Sequence, residues 1–551
     1  MTQSVSKKTS GLIGIAVLLL AALVWPRAYG PSLMVTPFLM GVITVSLIGL
    51  VCRPSLPKWP GIWLLASFVA IMLGPQSEPL SLIALLAAAL CAWISIGLGA
   101  QFVARRSLLR GVMWTLLIGM VIHALVAWLQ YFDIERIFYP LVSQNESDRP
   151  YGNLRQANHL ASFCVLGLVS LWWLYREREV TLRVSLGVAF LAFSGLALSA
   201  SRTGLLELFL ISGCLCIWRK TARPHEFKLF FLAPLWVLLL TQLLDALSAL
   251  FGFGLEGVHG RGMESVSIRF IYWQEAWSLA LMHPIAGVGW GNLGFARLFE
   301  LPFNPAGSNT TNAHNLVLHL LAETGFATTF LILAPMVWFL CRRLPWRLAD
   351  TNSQWAWMLI AVVGVHSLLE YPAWYMHFLL PTAFAFGVLM VAEPVAARAN
   401  RTFPSAGTVV LAALLLVSSF LALADYVRVA RAFGEDGRAS TDMTRVTGAQ
   451  GTVLFRYYAD RALVERVALS SANASAMLEV TDRLLNVGPN PIVFWVRLEA
   501  LCRLGRALQA GETAVSFAQI FPAAHDEFMQ INSPEVLNAC GLLSSKDTKT
   551  P

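Results

Sequence analysis

Charge is what this chain has least of. Asp, Glu, Lys and Arg together supply only 13% of its 551 residues, where a soluble globular chain has about 25%. With 57% hydrophobic residues and a mean hydropathy of +0.63, that deficit excludes an ordinary water-soluble domain and points to a membrane protein. Cysteines are few, eight in all. None stands in a Cys-x-x-Cys pair or at a Cys/His finger spacing, so nothing here reads as a metal finger. The closest pair, Cys214 and Cys216, lies inside an apolar run and reads as small buried hydrophobes. The formal charge of +8 is not gathered on one face. Lys and Arg fall in short clusters between apolar runs, which argues against nucleic-acid binding. A cleavable leader is not evident either: Lys7 and Lys8 precede the apolar run 11–25, which is expected to be a first spanning helix.

What is present is a series of long apolar runs. Spanning a bilayer takes about 20 apolar residues in a helix. About thirteen runs approach that criterion: 11–25, 32–51, 62–73, 80–100, 112–131, 159–174, 184–198, 204–218, 229–250, 315–340, 355–369, 375–391 and 408–425. The expected fold is therefore all-α, a polytopic transmembrane bundle of about 12–13 helices. Cytoplasmic loops are enriched in Lys and Arg. With the N-terminus inside, the inside loops hold Arg53 and Lys58; Arg105, Arg106 and Arg110; Arg176, Arg178 and Arg183; Arg219, Lys220, Arg223 and Lys228; Arg342, Arg343 and Arg347; and Arg398 and Arg401. The outside loops between the first and last helices lack lysine altogether but keep Arg27, Arg136, Arg149, Arg155, Arg202, Arg261, Arg269 and Arg297. The expected division is a transmembrane domain over 1–425, with outer loops 132–158 and 251–313, and a C-terminal helical-repeat-like domain over 426–551, also outside. In the tail, 491–509 and 512–521 read as paired amphipathic helices with Gly505 and Gly511 as punctuation. Cys502 and Cys540 would share an oxidising compartment there; the sequence leaves open whether they pair.

Polar residues crowd the expected outer side. The densest cluster is Arg149-Pro150-Tyr151-Gly152-Asn153-Leu154-Arg155-Gln156-Ala157-Asn158-His159. It is rich in hydrogen-bonding side chains and contains no acid, which suits an anionic ligand. A second is the turn Ser199-Ala200-Ser201-Arg202-Thr203-Gly204, where Arg202 has no sequence-adjacent acid; headgroup snorkelling is the bland alternative. The long outer segment holds Ser267-Ile268-Arg269, then His283-Pro284-Ile285-Ala286-Gly287-Val288-Gly289-Trp290-Gly291-Asn292, then Thr311-Asn312-Ala313-His314-Asn315. The glycine-rich stretch matches neither the Walker nor the dinucleotide pattern. A histidine at the start of a helix is more often a cap than a catalyst. The last corner is Glu370-Tyr371-Pro372, where Tyr371 also suits an aromatic belt.

In this order and spacing, the first cluster resembles the YGN…QxNH signature of PglL-type bacterial protein O-oligosaccharyltransferases. Residues 283–292, His314-Asn315 and Glu323-x-Gly325 resemble the core of the wider O-antigen ligase and polymerase superfamily. The Ser201-Arg202-Thr203-Gly204 turn and Glu370-Tyr371-Pro372 are similar to further family positions. The likeness spans about residues 149–381, and the tail resembles the extra domain of the glycosylation enzymes. The resemblance implies transfer of a preassembled glycan from a polyprenyl (undecaprenyl) pyrophosphate to Ser or Thr hydroxyls of a periplasmic or pilin-like acceptor protein, at the outer face of a bacterial inner membrane. It makes His314 the general base, a role suited to imidazole near neutral pH. Arg155, Arg202 and Arg269, with Arg149, would neutralise the departing pyrophosphate through planar, charge-assisted forks. Gln156, Asn158, His159 and Tyr371 would position substrate, and attack opposite the leaving group would invert the anomeric centre. No metal and no cofactor is expected. Asp133-x-Glu135 and Glu146-x-Asp148 have the spacing of a metal-holding pair, but no Trp-Trp-Asp motif accompanies them. Two alternatives stand beside this reading. One is an O-antigen ligase acting on lipid A core, or a glycan polymerase. The other is a lipid-linked sugar transporter, for which Glu207, Asp245 and Glu323 are the intramembrane candidates.

Overall fold

The computed structural model describes residues 30–75, 79–145, 147, 149–221, 223–252, 264–302, 304, 310–391, 402–434, 437–488, 490–531, 537 and 540. The expected helix at 11–25, Arg27, Arg261, Glu146, Asp148, Arg398 and Arg401 lie outside the described residues.

The chain is a polytopic all-α membrane protein. In hydrocarbon an apolar run satisfies its own backbone only as a helix, and every described run becomes one. In chain order these are α1 (Val35–Cys52), α2 (Lys58–Met72), α3 (Pro79–Phe102), α4 (Arg106–Tyr131), α5 (Ala157–Arg176), α6 (Leu182–Ser199), α7 (Arg202–Ile217) and α8 (Pro224–Phe251). Then follow α9 (Glu264–Met282), α10 (Leu293–Phe299), α11 (Leu316–Arg342), α12 (Thr351–Ser367), α13 (Met376–Met390) and α14 (Ser405–Ala430). Among the described residues, eight helices are long and apolar enough to cross a membrane, and α2 and α13 are shorter apolar helices. The short pieces carry proline, Pro60 in α2 and Pro381 in α13. The only strands among the described residues pair Leu56–Pro57 with Thr402–Phe403 in antiparallel fashion.

The apolar side chains that face outward form stripes at helical spacing. On α8 these include Leu232, Leu235, Leu239 and Leu243; on α14 they are Val410, Leu414, Val417 and Leu421. Stripes of this size in water would be aggregation sites; in a bilayer they are the lipid contact. At the centre stands α5, buried from Ala157 through Leu174 and packed against α4, α6, α7 and α12. The bundle ends differ in charge chemistry. Where α4 begins and α5 ends, Arg106 pairs with Glu177, Arg110 with Glu179 at 3.2 Å, and Arg176 with Glu226 at 2.7 Å. The opposite end carries the motifs singled out in the sequence.

The stretch 251–313, expected as a loop, is largely helical where it is described. Residues 264–282 form α9, which packs along α11. Its mixture of Arg, Gln, Glu and aromatics breaks the apolar run that marks a spanning helix, so linear hydropathy passes over it.

The tail folds as α15 (Met443–Ala449), α16 (Arg456–Arg466), α17 (Ala474–Val487), α18 (Pro491–Arg503), α19 (Ala507–Ile520) and α20 (Pro522–Ile531), each packed on the next. Its core is Phe494, Leu498, Leu501, Phe517 and Phe528. Gly505, left-handed at φ 68°, makes the break after α18, whereas Gly511 lies inside α19. Helix α14 runs unbroken through residue 425, so the change of composition there falls inside a helix. Cys502 and Cys540 are joined in a disulfide with a Cα–Cα distance of 4.8 Å, closing a 38-residue separation. Loop closure of that length stabilises by about 2–4 kcal/mol. Cys502→Ser is therefore expected to lower the stability of α17–α20 by about that amount, read as faster pulse proteolysis of the tail in the full-length protein, with the membrane helices equally protected.

Candidate active site

Four backbone segments meet at one end of the bundle: the turn into α5, the α6–α7 turn, the segment before α11, and the corner after α12. Each is built locally before it contributes a side chain. In the turn into α5, Gln130 of α4 does the anchoring. Its amide donates to the carbonyls of Ser143 and Gly152 at 2.9 Å each, and its oxygen accepts from the backbone of Tyr151 (2.9 Å) and Gly152 (2.8 Å). Asn153 accepts from the Ser143 amide at 2.9 Å. Tyr151, Gly152 and Asn153 are thus buried framework. They deliver Arg155, in left-handed backbone at φ 59°, then Gln156 and Asn158, to the site.

The α6–α7 turn is tied to this segment. Ser201 caps α7, accepting from the Gly204 amide, and its hydroxyl donates to Asn158 Oδ1 at 2.8 Å. Arg149 donates to the Ser199 carbonyl at 2.8 Å. The segment before α11 works by two asparagines. Asn312 Oδ1 accepts from the His314 amide at 2.9 Å, closing a short turn with His314 in the left-handed region (φ 51°). Asn315 Oδ1 accepts from the amides of Val317 and Leu318 at 3.1 Å each, capping α11, while its amide donates to the Leu368 carbonyl at 3.1 Å. A non-glycine residue at positive φ is strained. Here the flanking bonds hold it, and the strain aims the imidazole at the corner.

At that corner lies Glu370, whose side chain is 3% exposed. His314 Nδ1 donates to one carboxylate oxygen at 2.7 Å, and Gln156 reaches the same oxygen at 3.4 Å. Asn158 donates to the other oxygen at 3.0 Å, and Arg269 of α9 forms an ion pair with it. Burial alone would push the Glu370 carboxyl up; the hydrogen bond and charge of His314, followed by those of Arg269, outweigh it and bring it down to about 2. Because an ionised carboxylate only accepts, Nδ1 of His314 carries a proton, and in the neutral form of the ring the lone pair falls on Nε2. The ring is held between Tyr272, stacked at 5.6 Å, and Tyr371, edge-on at 5.1 Å. Burial and then the Glu370 charge push the Tyr371 phenol up, so it remains a neutral hydroxyl.

The glycine-rich stretch serves as a wedge rather than as a phosphate cradle. Helix α11 is broken at Gly325 (φ 73°, ψ 176°), and residues 284–293 dock into the break. The amides of Val288 and Gly289 donate to the carbonyls of Ala322 (2.9 Å) and Glu323 (3.0 Å), and Phe326 donates back to Pro284 (2.9 Å). The buried Glu323 carboxylate accepts from the amides of Gly291 (3.0 Å) and Leu293 (3.2 Å). A Cβ on Gly287 would meet the Glu323 carbonyl carbon at 2.2 Å, and one on Gly325 the Ile285 oxygen at 2.4 Å. These contacts account for the glycines and for Glu323-x-Gly325 without a ligand.

The structure thus brings His314, Arg269, Gln156 and Asn158 into one bonded group, with Tyr371 on the imidazole. Arg149 and Arg155 lie on the tethered turn. Arg202 is exposed at the start of α7, one residue after Ser201. His159 does not join them by any described hydrogen bond. It is fully buried among Tyr375, Phe378, His366 and His377, with ring centroids 4.3–5.6 Å away, and neither ring nitrogen has a hydrogen-bond partner among the described residues. Deeper still, Ser162 links Glu207 (2.6 Å) and His366 (2.8 Å). Asp133 faces Arg136 at 4.0 Å, while Glu135 accepts from the Asn145 amide at 3.1 Å. The residue that sequence reasoning missed is Glu370 as the organising acid. The outer polar cluster was read as acid-free, and so it is along the chain; the acid arrives from 214 residues away. The unpaired look of the outer arginines was the available signal, since Arg269 and Arg297 both find distant acids.

Three family models match the chain in order and without overlap: Protein glycosylation ligase over residues 150–175, O-Antigen ligase over 187–333, and Virulence factor membrane-bound polymerase, C-terminal, over 354–534. Two curated relatives come from Acinetobacter baylyi. A General O-oligosaccharyltransferase is 29% identical over 285 residues, 50% of this chain and 49% of the relative; a ComP-specific O-oligosaccharyltransferase is 26% identical over 287 residues, 51% of each. The chain therefore spans about half the length of the curated relatives it matches. Its resemblance to the O-antigen ligase superfamily, and within it to the PglL-type enzymes, holds in both comparisons.

The depressed Glu370 carboxyl carries a pH prediction. Its stabilising effect is complete above the unfolded value of 4.5 and is lost as pH falls through about 2. Glu370→Gln should cost about 3 kcal/mol at neutral pH. The difference between wild type and variant in thermal melts should shrink steadily as pH drops from 4.5 towards 2.

Proposed function

We propose that this chain transfers a preassembled glycan from a polyprenyl pyrophosphate, undecaprenyl in bacteria, to Ser or Thr hydroxyls of periplasmic or pilin-like proteins, with inversion and without a metal. The observation that carries the reading is the His314–Glu370 pair, with Arg269 bonded to the same carboxylate, where four backbone segments meet. Glu370 holds the imidazole by Nδ1, leaving Nε2 to take the proton of the acceptor hydroxyl. The hydroxyl oxygen bonds to the anomeric carbon as the bond to the pyrophosphate oxygen breaks. The electron pair leaves with the diphosphate, whose charge Arg155, Arg202 and Arg149 neutralise; Arg269 is shared with Glu370. Gln156 and Asn158, with Tyr371, position the reacting groups. The Glu370 oxygens are already engaged by His314, Asn158, Gln156 and Arg269, so this donor set suits an anionic substrate better than a cation.

In this reading residues 1–425 form the transfer unit in the inner membrane, the site faces the periplasm, and residues 426–551 form a periplasmic helical domain that recruits the acceptor. Two features support the orientation: the arginines paired with glutamates at the opposite end, and the disulfide, which belongs to an oxidising compartment. The matches to ligase and polymerase models keep a lipid A core or glycan acceptor as the second reading.

His314→Ala is expected to lower the transfer rate at least about 100-fold with normal membrane insertion, measured on the folded fraction of purified protein with a polyprenyl-pyrophosphate glycan and a pilin-like acceptor. Full activity in that variant would remove the base. Glycan appearing only on core lipid would move the acceptor to the second reading. Transfer is expected to survive EDTA, and a loss restored by Mg²⁺ or Mn²⁺ would reverse the metal-free assignment.

A further inference from the structure

We propose that Arg297, a residue outside the bonded group at Glu370, is the positioning residue that holds His314 in its working orientation. The inference rests on the reading of His314 as the base. Arg297 lies on the short helix α10 and is 6% exposed. Its guanidinium makes three separate contacts. Nε donates to Glu275 of α9 at 2.7 Å, Nη1 donates to the Thr310 carbonyl at 2.7 Å, and the planar face lies 4.9 Å from the Tyr272 ring.

Two of these contacts lead to the same histidine. Tyr272, itself buried, stacks on the His314 imidazole at 5.6 Å with an interplanar angle of 27°, so the guanidinium and the imidazole both pack against one phenol ring. Thr310 continues through its side chain: its hydroxyl donates to the Asn312 carbonyl at 3.1 Å and accepts from the Asn312 amide at 3.2 Å, and Asn312 Oδ1 accepts from the His314 amide at 2.9 Å. One route fixes the plane of the ring, the other its strained backbone. A carboxylate alone cannot do either, because the Glu370 bond leaves rotation about the Nδ1–oxygen axis open. Helix α10 is held in turn from both sides. Leu293 donates to Glu323, and Phe299 stacks on Phe494 of the C-terminal helices at 6.4 Å. Arginine is required for this arrangement. Lysine keeps the charge but has neither the flat face nor a fork that reaches Glu275 and Thr310 together.

The test uses the full-length protein in detergent. Arg297→Lys, Arg297→Met and Tyr272→Leu are compared with wild type for thermal stability, for kcat and donor KM, and for the rate at which diethyl pyrocarbonate modifies His314, followed by peptide mass spectrometry. Arg297→Lys is expected to melt close to wild type, to be modified at His314 at least about threefold faster, and to lose about 10–100-fold in kcat with donor KM changed less than about threefold. Tyr272→Leu should show the same pattern, which keeps the test decisive if Arg297→Met fails to fold. A well-folded Arg297→Lys with wild-type His314 modification overturns the proposal, as does a loss of activity that only tracks loss of folded protein. The modification rate needs no turnover. An active His314→Ala would therefore remove the base assignment, while altered His314 reactivity in the Arg297 variants would still report on positioning.

Discussion

The constraint on which the polar end of this bundle depends is one buried carboxylate. Glu370 is taken almost wholly out of water, and an uncompensated charge there would cost several kcal/mol. The chain compensates it with donors from three places: the turn into α5, helix α9 and the segment before α11. Because none of these is near Glu370 in sequence, satisfying the charge also fixes how α9 meets the helices around it. Removing one donor would leave the others facing a partly unpaired charge, so assembly and chemistry at this corner share one interaction.

A second buried carboxylate, Glu323, has the corresponding role in the neighbouring layer. It sits where α11 is broken and closes the break with backbone amides of the glycine-rich stretch. Glycines at 287 and 325 are needed because two backbones cross with no room for a Cβ. The stretch thereby becomes a rigid strut between α9, which carries Arg269 and Tyr272, and α11, which begins beside His314. Left-handed backbone at Arg155, Ala200 and His314 belongs to the same pattern. The turns at Arg155 and His314 lead to side chains bonded to Glu370, and the Ala200 turn is tied to Asn158 through Ser201.

The arginines expected on the outer side differ in their surroundings. Arg269 and Arg297 are matched to Glu370 and Glu275, which gives their retention a structural cause. Arg202 lies exposed at a helix start, and Arg149 and Arg155 lie half-buried on the tethered turn, with Arg149 bonded to the Ser199 carbonyl. Seen as a linear string, all of them looked alike. The same holds for His159, which reads as a member of a polar cluster but sits on the inward side of α5, among aromatic rings and two other histidines.

How much was legible follows from how each property is encoded. Membrane insertion and the all-α class depend on the length and composition of contiguous runs, and the described runs did become helices. The break at Gly505 and the order of the motifs are likewise local, fixed by residues a few positions apart. Helix α9 was hidden because its polar residues interrupt the apolar run, and only packing against α11 gives it a side to bury. The acid at the site was hidden for a stronger reason. Glu370 meets His314 across 56 residues, Arg269 across 101 and Asn158 across 212, and electrostatic pairing depends on distance in space, which helix packing sets and residue order does not.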